Sequence, residues 1–113
     1  MQPRTLALLE DIQEAIGYIR EDTADMTFQV FIENRRARQL VVYNLLTIGE
    51  AISRLRRDDP PVIDRLSGYN QAVGLRNALI HGYDVIDFQR VWATVQESLP
   101  VLGAEVEELL MEG

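Results

Sequence analysis

The sequence contains no cysteine among its 113 residues, which excludes a disulfide framework and thiolate-bound metal sites. The lack of thiols also fits a reducing cytoplasm. No apolar run approaches the ~20 residues that a membrane-spanning helix needs, and the chain does not open with the charged and then apolar stretch of an export leader. We therefore expect a soluble, cytoplasmic protein that does not contact a membrane.

Lysine is absent too, so all eleven cations are arginine, and the formal net charge is −7. This acid surplus disfavours DNA binding by the chain alone, because backbone phosphates are bound mainly by surplus positive charge. The charge is unevenly distributed, however. Between Asn34 and Arg57, where Glu50 is the only acidic residue, lie Arg35, Arg36, Arg38, Arg54, Arg56 and Arg57. A C-terminal segment without cations carries Glu97, Glu105, Glu107, Glu108 and Glu112.

No stretch alternates between apolar and polar residues for long enough to form a strand. Apolar residues instead recur at spacings of three and four, which predicts a helix from Pro3 to about Arg20, a short helix capped by Thr27, and a long helix from about Asn34 to Arg57. The apolar side of the long helix comprises Leu40, Val41, Leu45, Ile48, Ile52 and Leu55. Asn44 shares that side, so its amide needs a partner, either as a satisfied core amide or as part of a polar pocket.

The second half of the chain predicts further helices. One runs from Tyr69 to His81, and another begins after Asp87, which reads as its N-cap. Pro100 either kinks that helix or lies in the first turn of a fresh helix capped by Ser98. The predicted fold is an all-α antiparallel bundle of four to five helices. It forms a single domain over residues 1–113, with Trp92 as its largest buried side chain.

Most kinds of catalytic site are excluded by what is missing. One histidine, no cysteine and no clustered carboxylates cannot furnish a zinc or two-metal site, so no metal or other cofactor is expected. The serines at 53, 67 and 98 lack the glycine-flanked turn of a nucleophilic serine. Nothing resembles a glycine-rich loop that binds nucleotide phosphates.

The remaining chemistry is concentrated in the octapeptide Arg76-Asn77-Ala78-Leu79-Ile80-His81-Gly82-Tyr83. Gly82 is suited to end a helix at His81, and in the simplest interpretation His81 only bonds the last carbonyls of that helix. On an ideal helix Arg76 and His81 lie about 140° apart. The two side chains can converge on one anion only if the helix loosens at its end and the long arginine stem reaches round.

Such a pair of side chains would suit RNA cleavage without a metal. The ribose 2′-hydroxyl must lose a proton, the phosphorane must be stabilised, and the leaving 5′-oxygen must gain a proton. Histidine suits both proton transfers because its ordinary pKa of ~6.5 lies near physiological pH, and arginine suits the charge on the phosphate. Because each chain has one histidine, a mechanism with two histidines would need a symmetric dimer.

Arg76, four residues, His81, one residue and Tyr83 resemble the arginine-x4-histidine-x-tyrosine motif of HepT-like toxins, a branch of the HEPN superfamily of helical ribonucleases. The resemblance extends from the first helix to Leu109. Asn44 followed by Ile48-Gly49-Glu50-Ala51 is similar to the family's second-helix signature, and Val91-Trp92 with Leu99-Pro100 to its last-helix pattern. One departure is Tyr69, where relatives often carry tryptophan after proline.

The resemblance implies a homodimer that cleaves RNA as the toxin of a type II toxin–antitoxin pair. Arg76 and His81 would be its catalytic residues, with Asn77 and Asn44 shaping or supporting the pocket. The antitoxin would be a nucleotidyltransferase that adenylylates Tyr83, which would place a bulky, negatively charged nucleotide two residues from His81. Toxicity would then be silenced without unfolding the toxin.

Two alternatives remain open. The chain could be a non-catalytic helical module that binds a nucleotidyltransferase partner or a nucleotide, which its overall acidity supports. It could also be a structural helical domain in which the motif is incidental. Adenylylation of Tyr83 without toxicity of the unmodified chain would favour the first alternative.

Overall fold

The computed structural model describes residues 1–68 and 86–113, and these residues are helical, with no strand among them. The helices are α1 (Pro3–Asp22), α2 (Phe28–Glu33), α3 (Arg35–Asp58), α4 (Pro60–Ile63), α5 (Phe88–Ala93) and α6 (Leu99–Glu112). A π-helical turn, Thr94–Ser98, joins α5 to α6 without a break. The predicted all-α fold is confirmed. The predicted helix from Tyr69 to His81 lies outside the described residues.

The helix ends follow from side chains that complete the backbone hydrogen bonding there. Thr27 Oγ1 accepts a hydrogen bond from Val30 N at 3.2 Å, and Asn34 Oδ1 accepts one from Ala37 N at 3.0 Å. Both residues are predicted at these boundaries, and both supply an acceptor to an N–H that the first helical turn leaves unpaired. Helix α3 ends at Asp58, because the next residue, Asp59, precedes Pro60 and is therefore disfavoured in the helical conformation.

Helices α1, α3 and α6 form the main layers of the bundle. Thr5 Oγ1 donates to Asp59 Oδ2 at 2.8 Å, so the start of α1 lies beside the end of α3 and the two helices run antiparallel. On α6, Gly103 lies against Ile16 and Gly113 lies against Leu6, which makes α6 antiparallel to α1 as well. Helix α1 therefore packs against both α3 and α6.

A cluster of three phenylalanines and Trp92 lies where α2 and α5 pack together. Phe31 is fully buried, and its ring centroid lies 4.9 Å from that of Trp92 and 6.2 Å from that of Phe88. Trp92 is only half-buried, so the prediction that it is the largest buried side chain is wrong. Phe31 is the largest of the fully buried side chains among residues 1–68 and 86–113, because its ring lies inside this aromatic cluster whereas Trp92 lies at the edge.

Two further predictions are corrected by the packing. Leu40 is 40% exposed, because it lies about 100° round α3 from the centre of the buried stripe and so reaches its margin. Ser98 adopts a helical conformation and makes no capping hydrogen bond. The helix passes through Pro100 by widening into the π-helical turn, since a proline ring otherwise collides with the carbonyl four residues earlier.

Asp87 caps α5 more completely than the other N-caps of the described residues. Its Oδ1 accepts from Gln89 N at 3.1 Å and from Arg90 N at 3.2 Å, as predicted from its position. We expect Asp87→Ala to lower the free energy of unfolding by roughly 1 kcal/mol, because both N–H groups lose their acceptor. Urea denaturation followed by circular dichroism measures the change. Asp87→Asn keeps an acceptor and should stay close to wild type; an equal loss in both variants would contradict the capping role.

Candidate functional site

Four of the predicted site residues, Arg76, Asn77, His81 and Tyr83, lie outside the described residues. Their predicted roles therefore stay predictions. The fifth, Asn44, lies on α3 within the described part of the chain. The structure also places the residues on either side of 69–85 and the arginines of α3.

Asn44 is buried, with 6% of its surface exposed. Its Nδ2 donates to the Leu40 carbonyl one turn earlier, at 2.9 Å. A buried amide group requires such a partner, because an unpaired polar group in the core of a protein costs about 1–3 kcal/mol. The prediction that the Asn44 amide has a hydrogen-bond partner is confirmed, while its contribution to a pocket stays a prediction.

The described residues that precede position 69 are held against α6. Ser67 donates its backbone N–H to both carboxylate oxygens of Glu105 at 3.1 Å, and its hydroxyl donates to Oε1 at 3.1 Å. Gly68 has a φ of 71°, a left-handed conformation that glycine adopts without strain. The described chain therefore leaves the helical conformation and turns at Ser67 and Gly68.

The residues that follow position 85 are held against α2 and α3. Ile86 packs against the core, and Phe88 stacks edge-on against Phe31. Arg38 of α3 lies over the Phe88 ring, with the guanidinium carbon 5.5 Å from the ring centroid, and its Nη1 donates to the Ile32 carbonyl. Such cation–π contacts contribute about 0.5–1 kcal/mol at exposed sites. Arg38 therefore fastens α5 to α3, whereas Arg35 and Arg36 are exposed.

A polar cleft of about 660 Å³ lies between the start of α1 and the last turns of α3. It is lined by Arg4, Leu8, Glu50, Ser53, Arg54, Arg57 and Asp58. Asp58 pairs with Arg4 Nη1 at 3.6 Å and with Arg57 Nε at 3.3 Å. Sequence reasoning identifies the arginines of α3 but misses Arg4, because only the antiparallel packing of α1 brings position 4 to position 57.

Negatively charged side chains lie along α6. Arg65 forms a two-point hydrogen-bonded salt bridge with Glu112, and its Nη2 lies 3.8 Å from Glu108. The hydrogen bond from Arg65 lowers the pKa of Glu112 and raises the pKa of Arg65 itself. Glu107 is exposed on the same helix. Helix α3 thus carries six arginines, whereas α6 carries four glutamates and no arginine.

Residues 12–109 match the profile of a family described as Ribonuclease HepT-like. This range covers most of the chain and contains every predicted site residue. The chain belongs to the HepT-like ribonuclease family. The resemblance inferred from the motif blocks is thereby confirmed at the level of the family.

Individual HepT-like relatives cover nearly the same range. A Methanocaldococcus jannaschii protein named as a candidate RNase is 37% identical over 101 residues, which is 89% of this chain and 92% of the relative. A second from that organism is 30% identical over 106 residues, 94% of this chain and 87% of the relative. A Thermococcus cleftensis protein named probable ribonuclease HepT is 33% identical over 101 residues, 89% of this chain and 91% of the relative. No solved structure is significantly similar.

Two further features of this HepT-like chain concern metals and membranes. Within residues 1–68 and 86–113, no three histidine, cysteine, aspartate or glutamate side chains cluster closely enough to hold a metal ion. Over the same ranges, no helix combines the length and apolar character that crossing a membrane requires.

Proposed function

We propose that this HepT-like chain is a metal-independent endoribonuclease, and that it acts in the cytoplasm as the toxin of a type II toxin–antitoxin pair. The observation that carries the proposal is the match to a ribonuclease family over residues 12–109, a range that includes Arg76, His81 and Tyr83 in the spacing of the family motif. The relatives' ribonuclease names support RNA as the substrate class.

His81 would act on the ribose next to the bond that breaks. As a neutral imidazole it takes the proton of the 2′-hydroxyl, whose oxygen then forms a bond to the adjacent phosphorus. The bond from phosphorus to the 5′-oxygen breaks, and that oxygen leaves with a proton. The products are a 2′,3′-cyclic phosphate and a 5′-hydroxyl. Arg76 would stabilise the negative charge of the phosphorane with its planar, permanently charged guanidinium.

A homodimer would supply the second proton-transfer group. The chain has one histidine, whereas the reaction needs a base at the 2′-oxygen and an acid at the 5′-oxygen. Two copies related by a twofold axis could contribute one His81 each to a shared cleft. Asn77 and Asn44 would support that cleft. The burial of Asn44 and its bond to Leu40 fix the amide on α3, which suits a supporting role better than direct proton transfer.

Tyr83 would be the site of regulation. A nucleotidyltransferase antitoxin would transfer an adenylyl group from ATP to the phenolic oxygen, with release of pyrophosphate. The attached nucleotide carries a phosphodiester charge and lies two residues from His81 in sequence. It would therefore compete with RNA for Arg76 and fill space that the substrate needs.

The test is cleavage of RNA by the purified chain in the presence of excess EDTA, after intact mass has shown that Tyr83 is unmodified. We expect internal cleavage that leaves a 2′,3′-cyclic phosphate and a 5′-hydroxyl, both of which are identified by mass spectrometry of the fragments. A substrate with 2′-O-methyl groups throughout should stay intact, because it lacks the nucleophile.

Treatment with a nucleotidyltransferase and ATP should add one adenylyl group and stop cleavage. Tyr83→Phe should escape that inhibition while remaining active, since it lacks the acceptor oxygen. If the unmodified chain left RNA intact, or cleaved the 2′-O-methyl substrate, the nuclease proposal would be abandoned. Adenylylation of Tyr83 in a chain that never cleaves RNA would indicate the non-catalytic module instead.

A further inference from the structure

We infer that the cleft between α1 and α3 binds the phosphates of single-stranded RNA through Arg4, Arg54 and Arg57. This inference rests on the proposed function, because it assigns a place on the surface to the substrate of that reaction. The three arginines and the other lining residues named above all lie in the part of the chain that the structure describes. It would extend RNA binding beyond the reacting phosphodiester.

The three arginines reach the cleft from two directions. Two helices contribute them, Arg4 from the first turn of α1 and Arg54 and Arg57 from the last two turns of α3. Positions 54 and 57 are three residues apart and so lie on the same side of α3. All three line the same cleft, whose volume of about 660 Å³ is large enough for a phosphate with its sugar.

The three guanidiniums keep hydrogen-bond donors available for a ligand. The side chains of Arg4 and Arg57 are 74% and 72% exposed, and both pair with the single carboxylate of Asp58. Arg54 forms no salt bridge with any residue in 1–68 or 86–113. Each guanidinium has five N–H donors in a planar fork, and one shared carboxylate occupies few of them. The remaining donors can accommodate phosphate oxygens, which suit the same two-point geometry.

The Asp58 side chain is 21% exposed, which is less than either of its arginine partners. It pairs with Arg4 Nη1 at 3.6 Å and with Arg57 Nε at 3.3 Å, and so brings both guanidiniums to the same carboxylate. The neighbouring Asp59 accepts from the buried Thr5 hydroxyl, so the two helix ends are locked together. The carboxylate therefore orders the two arginines before a ligand arrives, which reduces the entropy that binding has to overcome.

An exposed aromatic ring on α3 favours RNA over an acidic protein as the occupant. Tyr43 is 68% exposed on α3, within about 20° of Arg54 around the helix and about 16 Å from it along the axis. Arg36 is exposed on the same side of α3, nearer its N-terminus, so that Tyr43 lies between Arg36 and Arg54 along the helix. An exposed aromatic ring between arginines is the composition of single-strand binding surfaces, in which bases stack on rings while cations follow the backbone.

Binding of a fluorescent 2′-O-methyl oligouridine, which cannot be cleaved, tests the inference. Anisotropy titrations over a range of NaCl concentrations give Kd and its salt dependence. The double variant Arg54→Gln/Arg57→Gln should raise Kd about tenfold, because it removes two charge-assisted hydrogen bonds to phosphate. It should also reduce the slope of log Kd against log salt by about 0.7 for each phosphate that the variant no longer neutralises.

The matched control is Arg90→Gln, which removes an exposed arginine from α5, outside the cleft. It should leave both Kd and the salt slope near the wild-type values. Circular dichroism melting identifies destabilised variants, and light scattering records the oligomeric state of each. Tyr43→Ser should weaken binding at every salt concentration without changing the slope, because a stacked base contributes no counterion release.

The outcomes separate the inference from the nuclease proposal. If wild type cleaves RNA but the cleft variant binds like Arg90→Gln, the cleft inference fails and the nuclease proposal stands. If wild type cleaves nothing yet the cleft variant binds more weakly and with a smaller slope, the cleft inference stands and the nuclease proposal fails. If the cleft variant instead changes the oligomeric state, the face is a surface for self-association and the inference is overturned.

Discussion

Alanine in place of His81 is expected to slow RNA cleavage by roughly 10²- to 10⁴-fold, the range typical for loss of a general acid or base. The substitution removes the side chain that is proposed to take the proton of the 2′-hydroxyl. Single-turnover rates on a short RNA, with enzyme in excess, measure the chemical step. The helical circular dichroism signal should stay at its wild-type value.

The pH profile of cleavage adds a second readout to this prediction. If two His81 side chains act as base and acid in a shared cleft, the wild-type rate should rise and then fall with pH, because one imidazole must be neutral and the other protonated. Arg76→Ala should lower the rate while preserving this bell shape, since the guanidinium stays charged throughout. Cleavage by His81→Ala at the wild-type rate would exclude His81 from the chemistry.

Alanine at Phe31 is expected to lower the free energy of unfolding by about 3–5 kcal/mol, because it leaves a cavity where a fully buried ring contacts Phe88 and Trp92. For a chain of this size the midpoint of thermal unfolding should fall by at least about 12 °C. Thermal and urea denaturation both measure the loss.

Val30→Ala is the matched control for Phe31→Ala. Val30 is the preceding residue on α2, and it is 48% exposed. Its truncation should change stability by less than about 0.5 kcal/mol, as is usual for surface positions. Similar losses in the two variants would mean that α2 contributes through its helical conformation rather than through the burial of Phe31.

The helix boundaries could be predicted because local interactions determine them. Thr27, Asn34 and Asp87 each accept bonds from the helix that follows, and Pro60 follows the end of α3. That Phe31 rather than Trp92 is the large, fully buried side chain could not be predicted from local interactions. It depends on how deeply α5 sits against α2, which is a property of the assembled bundle rather than of either segment.

For the candidate site, too, features set by local sequence could be predicted, whereas features set by the packing of helices could not. The spacing of Arg76, His81 and Tyr83 and its resemblance to a family motif indicated the chemistry, and the family itself is now shown. The periodicity of α3 placed Asn44 on the apolar side of the helix, and the side chain is buried there. The cleft, by contrast, joins residues 53 positions apart in sequence, Arg4 and Arg57, and no periodicity within one helix brings them together.

The π-helical turn at Thr94–Ser98 redirects the buried face of the last helical segment. In a regular α-helix, the apolar residues Val91, Val95, Leu99 and Leu102 would form one straight stripe facing a single neighbour. A π turn takes up one extra residue, which rotates everything after it by about 100° relative to what precedes it. The aromatic end of the segment faces α2, and its aliphatic end faces α1. The continuous helical segment from α5 to α6 thus contributes to two different helix–helix interfaces, one with α2 and one with α1.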